Sequence, residues 1–508
     1  MATSPATPKP YGRFWQELDQ LPVETKDDER REYSADYDRV LYSTAFRRLS
    51  YVTQVVGQNE TGLFHNRLVH SLKVAQTGRR IVNRFRQKAE KDRALRALIA
   101  DYGGCDPRVI HTACIAHDLG HPPFGHVAEQ ALQAVLASNP DAHEASLSML
   151  SHEDLRRYTL PDGFEGNAQT FRIVTRLAFR EPYFNMIDPQ PGADESQALS
   201  PALNLTKRTL AAILKYPWRC NERPRGIDAI KKKWGAYDSE KDILEWAMQG
   251  IAGREVSFHG KPKWEYRSIE AQVMDWSDDI AYAVHDIEDF FRAGLIPLDL
   301  IARSRAHFEE FFAYAWAKVR DDLAHAVDEV EVRKWLNEVR TLYLPRRAYT
   351  GTRWDREKLH MLASELIRGA TEEVEVVGEG LVLPSEKQLA IIEMLKQLTW
   401  YYVIDSLALS SIRHGQYQQI RELYTLLLGW VEHEYGIAGQ RNLPARLVEY
   451  LDVSTNERTA NPKYNDSQRI SRAVIDYLTS LTESQAVELT HRLAGRTQRS
   501  ILEAWLNI

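Results

Sequence analysis

His117 and Asp118 stand side by side at the end of an apolar run, Val109 to Ile115, and are followed at once by Leu119, Gly120, His121, Pro122 and Pro123. An imidazole and a carboxylate together are suitable donors for a borderline divalent metal. Neighbours on a helix point about 100° apart, so one doublet cannot close a site and needs ligands from other segments. Two candidates are His70, in a stretch from Leu63 to Ile81 whose apolar residues roughly follow a helical period, and Asp278, which opens the segment 278–286. Any one of these side chains alone would ordinarily be a packed or solvated residue. What sets them apart is three phrases in chain order: RLVHSLKVAQ at 67–76, AHDLGHPPFGH at 116–126 and MDWSDDIAYAVHDIED at 274–289.

The elements around them follow from the same residues. The run before His117 reads as a buried helix, with Gly120 as its stop and the proline pair preventing continuation. A new helix then starts near Phe124, placing His126 and Glu129 on one face at i, i+3 spacing. A carboxylate beside an imidazole fixes its tautomer and raises its basicity, as proton transfer requires, although spacing alone fits a surface ion pair equally. Arg67, three residues before His70, has the planar fork that clamps phosphate; otherwise it is an exposed arginine at a helix start. Asp278, Tyr282 and Asp286 recur every four residues and so line one side of a helix. The alternative there is an acidic solvated helix, and Asp279, Glu288 and Asp289 are assigned to that face.

Helix-period apolar residues mark 66–90, 107–119, 124–137, 166–180, 204–216, 268–293 and 299–325, so the predicted fold class is all-α. A minor β hairpin is expected at 372–383, EEVEVVGEGLVL. Surface insertions are expected at 187–201, 221–228 and 455–467, and a further helical set beyond about residue 300. With 508 residues, the chain exceeds one ordinary core. A net charge of −6 gives no global pull toward nucleic acid, so a polyanion needs a local basic cluster, for which Arg47, Arg48, Arg67, Lys73, Arg79 and Arg80 are the candidates. Three cysteines without a CxxC pair argue against a disulfide framework and fit a reducing cytoplasm. Neither a signal segment nor an apolar stretch of roughly 20 residues points to a membrane. There is no GxxxxGK[ST], HExxH, GxSxG or strand-linked GxGxxG, which removes the P-loop, zincin, serine-hydrolase and dinucleotide-binding readings.

The three phrases, with Tyr42 to Leu49, FEGNAQTFRIVTRL at 164–177 and LNLTKRTLAAILKYPW at 203–218, resemble the HD-domain phosphohydrolases. Within these the resemblance is to the deoxyguanosine triphosphate triphosphohydrolases and their broader deoxynucleoside triphosphate relatives. It covers roughly residues 30–300 and implies an irregular tail at 1–30, an HD-domain catalytic core at 31–300 and a C-terminal helical region at 301–508 that completes the site and subunit contacts. It implies metal ligation by His70, His117, Asp118 and Asp278, with Mn, Mg, Fe or Co and coordinated water. It implies catalytic roles for His126 and Glu129, with His121 near the phosphates or capping the loop. Substrate contacts would come from Gln54, Arg67 and Lys215, and from Tyr282 and Asp286 on the sugar. Glu165, Asn167 and Gln169 would support the histidines. A homo-oligomer, such as a hexamer, is implied, and single-stranded DNA or an allosteric deoxynucleotide is a partner to consider. The rival readings are another HD nucleotide phosphohydrolase and a nucleotide-sensing or single-strand-binding regulator with weak hydrolysis.

Overall fold

A computed structural model describes residues 32–55, 64–136, 156–178, 202–224, 233–323, 326–437, 442–456 and 464–497. The tail expected at 1–30 and the insertion at 187–201 lie outside the described residues, as do parts of those at 221–228 and 455–467.

Helices α1 (Glu32–Leu41), α2 (Thr44–Arg48), α3 (Arg67–Lys91), α4 (Arg93–Asp101), α5 (Pro107–Ala116), α6 (His126–Leu136), α7 (Gly166–Arg172), α8 (Lys207–Ile213) and α9 (Lys241–Met248) lead to a hairpin of β1 (Arg254–Phe258) and β2 (Lys261–Glu265). Then come α10 (Ile269–Arg292), α11 (Leu298–Arg303), α12 (Arg305–Leu323), α13 (Glu329–Leu342) and α14 (Arg353–Glu372). A second hairpin, β3 (Val374–Val377) and β4 (Leu381–Pro384), precedes α15 (Glu386–Thr399), α16 (Leu407–Ile437), α17 (Ala445–Asn456), α18 (Asp466–Ser480) and α19 (Glu483–Leu493). The fold is all-α with two small antiparallel hairpins.

Three helices carry the ligand candidates, and each start is set by a side-chain cap. Asn66 accepts the Val69 amide at the start of α3, Asp106 accepts that of Arg108 ahead of Pro107 on α5, and Ser268 accepts that of Ala271 on α10. These three helices pack against one another. Fully buried Val74, Ile81, Ile110, Ala113, Val273 and Ile280 join a cluster of buried apolar residues that runs from Tyr33 to Leu489. Apolar burial of this kind stabilises by roughly 25 cal/mol per Å².

Two differences from the sequence expectations have physical reasons. The stretch 299–325 is two helices, α11 and α12, meeting at extended Ser304. The hairpin at 254–265 was not expected, because its strands are short and charged. Its turn nevertheless carries a signal: His259 and Gly260 both have positive φ (49° and 81°), as a two-residue hairpin turn demands. Among the described residues no helix is long and apolar enough to cross a membrane.

Candidate metal centre

Helix α5 ends at Ala116, yet His117 keeps right-handed backbone angles, so the His-Asp doublet sits on a turn continuing the helix. Gly120 is required here for close approach rather than as a left-handed stop. A Cβ on it would lie 2.2 Å from the carbonyl oxygen of Gly166 and 2.2 Å from the amide of Thr170. The turn is held from outside: Thr170 Oγ1 donates to the His117 carbonyl at 3.0 Å and accepts the Gly120 amide at 2.9 Å. Arg48 donates to the carbonyls of Leu119 and His121 at 2.9 and 2.7 Å.

His70, His117 and Asp278 each offer a ligand atom, all within 4.8 Å of one another. His70 Nε2 lies 3.0 Å from Asp278 Oδ1, and His117 Nε2 lies 3.6 Å from the same oxygen and 3.3 Å from Asp118 Oδ1. His117 Nδ1 donates to the Cys114 carbonyl at 2.6 Å, which leaves Nε2 as the lone-pair nitrogen. That Nε2 is buried and makes no hydrogen bond. A buried nitrogen without a partner, facing two carboxylates, fits a divalent cation. Without one, burial disfavours the charged ring, but the carboxylates of Asp118 and Asp278 outweigh it and push His117 up to about 9. Against the same burial, His117, His121 and Arg67 hold the Asp118 carboxyl well below its usual range, and Lys215 and the histidines do so for Asp278.

Around this centre the other candidates converge, some with unexpected partners. Buried Arg67 donates through Nη1 to Asp118 Oδ2 at 2.8 Å and through Nε to the Thr53 carbonyl at 3.0 Å. Lys215, expected on phosphate, has its Nζ on Asp275 Oδ1 at 2.6 Å and Asp278 Oδ2 at 3.1 Å. Gln54, next to Thr53, has a buried Oε1 with no partner. On α10, burial and then Asp286 raise the Tyr282 hydroxyl, while burial and then Asp289 raise the Asp286 carboxyl well above the usual range. Asp286 Oδ2 is buried and unpartnered.

Beyond Asp118, His121 Nδ1 faces its Oδ1 at 3.1 Å, and His121 Nε2 lies 3.5 Å from Glu129 Oε1. His126 is 57 % exposed and donates through Nδ1 to Glu129 Oε2 at 2.7 Å. The tight entry to α6 places this pair, since Phe124 and Gly125 take successive positive φ values (67° and 56°) and a Cβ on Gly125 would meet Arg67 Nη2 at 2.7 Å.

Several expectations are corrected. Asp289 is buried and accepts a hydrogen bond from His65 Nδ1 at 2.6 Å, so it is no part of a solvated face. Gln169 does not support the histidines but donates to Asp476 at 2.9 Å; the residue that does is Thr170, one position on. The six basic residues do not gather. Arg67 reaches the centre, Arg48 braces its loop, Lys73 donates to His65 Nε2, Arg47 is exposed, and Arg79 and Arg80 line a cleft of about 620 Å³ that none of the metal-ligand candidates line. Thr170 and Arg48 carried no local signal, because a hydroxyl or guanidinium on a backbone carbonyl depends on segments meeting.

The chain is similar to known proteins. Residues 67–206 match the HD domain family. A deoxyguanosinetriphosphate triphosphohydrolase-like protein of Streptomyces coelicolor is 30 % identical over 97 % of this chain and 98 % of its own. One of Corynebacterium efficiens is 30 % identical over 92 % of each chain, and one of Corynebacterium glutamicum is 37 % identical over 54 % of this chain and 49 % of its own.

Proposed function

Since the chain belongs to the deoxyguanosinetriphosphate triphosphohydrolase-like family and carries an HD domain, we propose that it hydrolyses deoxynucleoside triphosphates, dGTP among them, to deoxynucleoside and inorganic triphosphate. The family supports phosphohydrolase chemistry. The observation that carries the finer reading is the cluster of His70, His117 and Asp278, with Asp118 Oδ1 at 3.3 Å from His117 Nε2, beside a buried Arg67 and a His126–Glu129 pair.

A divalent ion held by those four residues, with Mn, Mg, Fe or Co as candidates, would polarise a phosphoryl oxygen and lower the pKa of a water. Arg67 fixes the Asp118 carboxylate with Nη1, while its Nη2 makes no hydrogen bond among the described residues and is available to a phosphate oxygen. Lys215 orients the second oxygen of Asp278. Glu129 fixes the Nδ1 proton of His126, so the exposed ring offers Nε2 for proton transfer at the scissile bond. His121 lies between the two groups. Tyr282, Asp286 and Gln54 form the nucleoside end, and packing of Tyr282 under the sugar leaves little space for a 2′-hydroxyl. The C-terminal helices complete the site, because Glu483 on α19 accepts the amides of Thr53 and Phe124 at 2.7 and 3.2 Å. A homo-oligomer in the cytoplasm belongs to the same reading.

Incubation with Mn²⁺ or Mg²⁺ and each of the four deoxynucleoside triphosphates plus GTP, with products separated by ion exchange, tests it. Deoxynucleoside plus intact triphosphate is expected. Monophosphate or diphosphate products would make this another HD phosphohydrolase, and binding without turnover would make it a sensor.

A further inference from the structure

We propose that His121, His126 and Glu129 form a second divalent-cation site, of the chemistry zinc takes, beside the centre on His70 and His117. Their ligand atoms all lie within 4.8 Å of one another. Two imidazoles and one carboxylate, leaving a fourth position open, are a donor set that tetrahedral zinc uses. The group on His70, His117 and Asp278 has the same donor count, but Asp118 Oδ1 at 3.3 Å from His117 Nε2 brings a second carboxylate beside it, which suits an octahedral ion.

The His121–Glu129 geometry has the spacing of a bridged pair. Nε2 of His121 and Oε1 of Glu129 are 3.5 Å apart, longer than a good N–H···O bond. Two ligand atoms at about 2.0–2.1 Å from one tetrahedral ion are separated by roughly 3.3 Å. The other nitrogen of His121 lies 3.1 Å from Asp118 Oδ1 without a hydrogen bond, so Nε2 is the atom that faces Glu129. Both side chains are largely buried, whereas His126 is exposed. An ion can therefore enter past His126 and settle against a dry, oriented pair. His126 exchanges its 2.7 Å hydrogen bond to Glu129 for a bond to the ion.

The site shares its residues with the proton-transfer pair. On the reading of the function above, an ion on Nδ1 of His126 leaves the ring proton on Nε2 and takes the Glu129 oxygen, which removes the proton-accepting lone pair, so zinc at this second site inhibits hydrolysis while a divalent ion at the His70–His117 centre supports it.

Metal counting tests this without relying on turnover. Metal-free protein is dialysed against Zn²⁺ and its zinc measured by elemental analysis. Wild type is expected to hold two equivalents, His126→Ala and Glu129→Gln one each, and His117→Ala one. The exposure of His126 makes its replacement compatible with folding, and Glu129→Gln keeps the shape of the side chain. One equivalent in wild type that His126→Ala and Glu129→Gln both retain overturns the proposal. Two equivalents retained in both His126→Ala and Glu129→Gln also overturn it, since the second ion then sits elsewhere. Two retained in His117→Ala contradict the first centre instead, which separates failure of the functional reading from failure of this one.

Discussion

Side chains at the centre are held by partners that fix which atom faces inward. His126 is the clearest case, because Glu129 accepts a hydrogen bond from its Nδ1, and the proposed proton transfer uses the other nitrogen. His126→Ala should therefore slow turnover by roughly 10²- to 10⁴-fold while the ion at His117 stays bound, checked by kinetics alongside metal content. Tyr282→Ala should narrow the ratio of kcat/KM for dGTP over GTP, and an unchanged ratio would remove Tyr282 from the sugar end. Glu165 gives a pH prediction. Burial and then the neighbouring Glu129 push its carboxyl up to about 7, against an ordinary 4.5. A raised folded value means that this stabilising protonation is fully present below about 4.5 and is lost as pH rises through about 7. Glu165→Gln keeps an acceptor for the α7 cap but abolishes the linkage, so its denaturation midpoint should fall less than that of wild type between about pH 5 and about pH 8. The cluster of His70, His117 and Asp278 was legible because type and wording are local. Thr170, Arg48 and the true setting of Asp289 were not, since each acts through a segment distant in sequence.

Helices were legible where periodicity and caps agreed, as for α3, α5 and α10. The hairpin at 374–384 was legible through its alternating valines and Gly378-Glu379-Gly380. The one at 254–265 was not, since alternation in REVSF and KPKWE mixes charged and aromatic residues without a clean apolar face. Packing of one element on another shows most clearly at Gly120, where the ligand turn lies against the backbone of α7. Gly120→Ala puts a methyl group 2.2 Å from two backbone atoms. It should cost about 1–3 kcal/mol of stability and weaken metal binding together, read by denaturation and by metal titration. Full stability with a normal metal affinity would show that α7 does not position the turn.

At the scale of the molecule, buried charges bind the region of α7 to α18. Arg172 on α7 pairs with Asp476 on α18 at 2.8 Å and with Glu240 at 2.8 Å, all three fully or nearly fully buried. Asp476→Ala leaves a buried guanidinium with one carboxylate fewer, and should cost about 3 kcal/mol or more, measured by chemical denaturation. Arg472 pairs with Asp162 in the same way, at 2.8 Å. Pairings across more than 300 residues leave no periodic trace, which is why the sequence pointed to a C-terminal helical region completing the site without naming these partners. These contacts make the centre a property of the full chain, and its chemistry can be read in a single isotope experiment. Hydrolysis of dGTP in heavy-oxygen water should place the label in inorganic triphosphate and none in deoxyguanosine, because the proposed attack falls on the α-phosphorus. Label in the deoxynucleoside, or in monophosphate or diphosphate, would contradict the account.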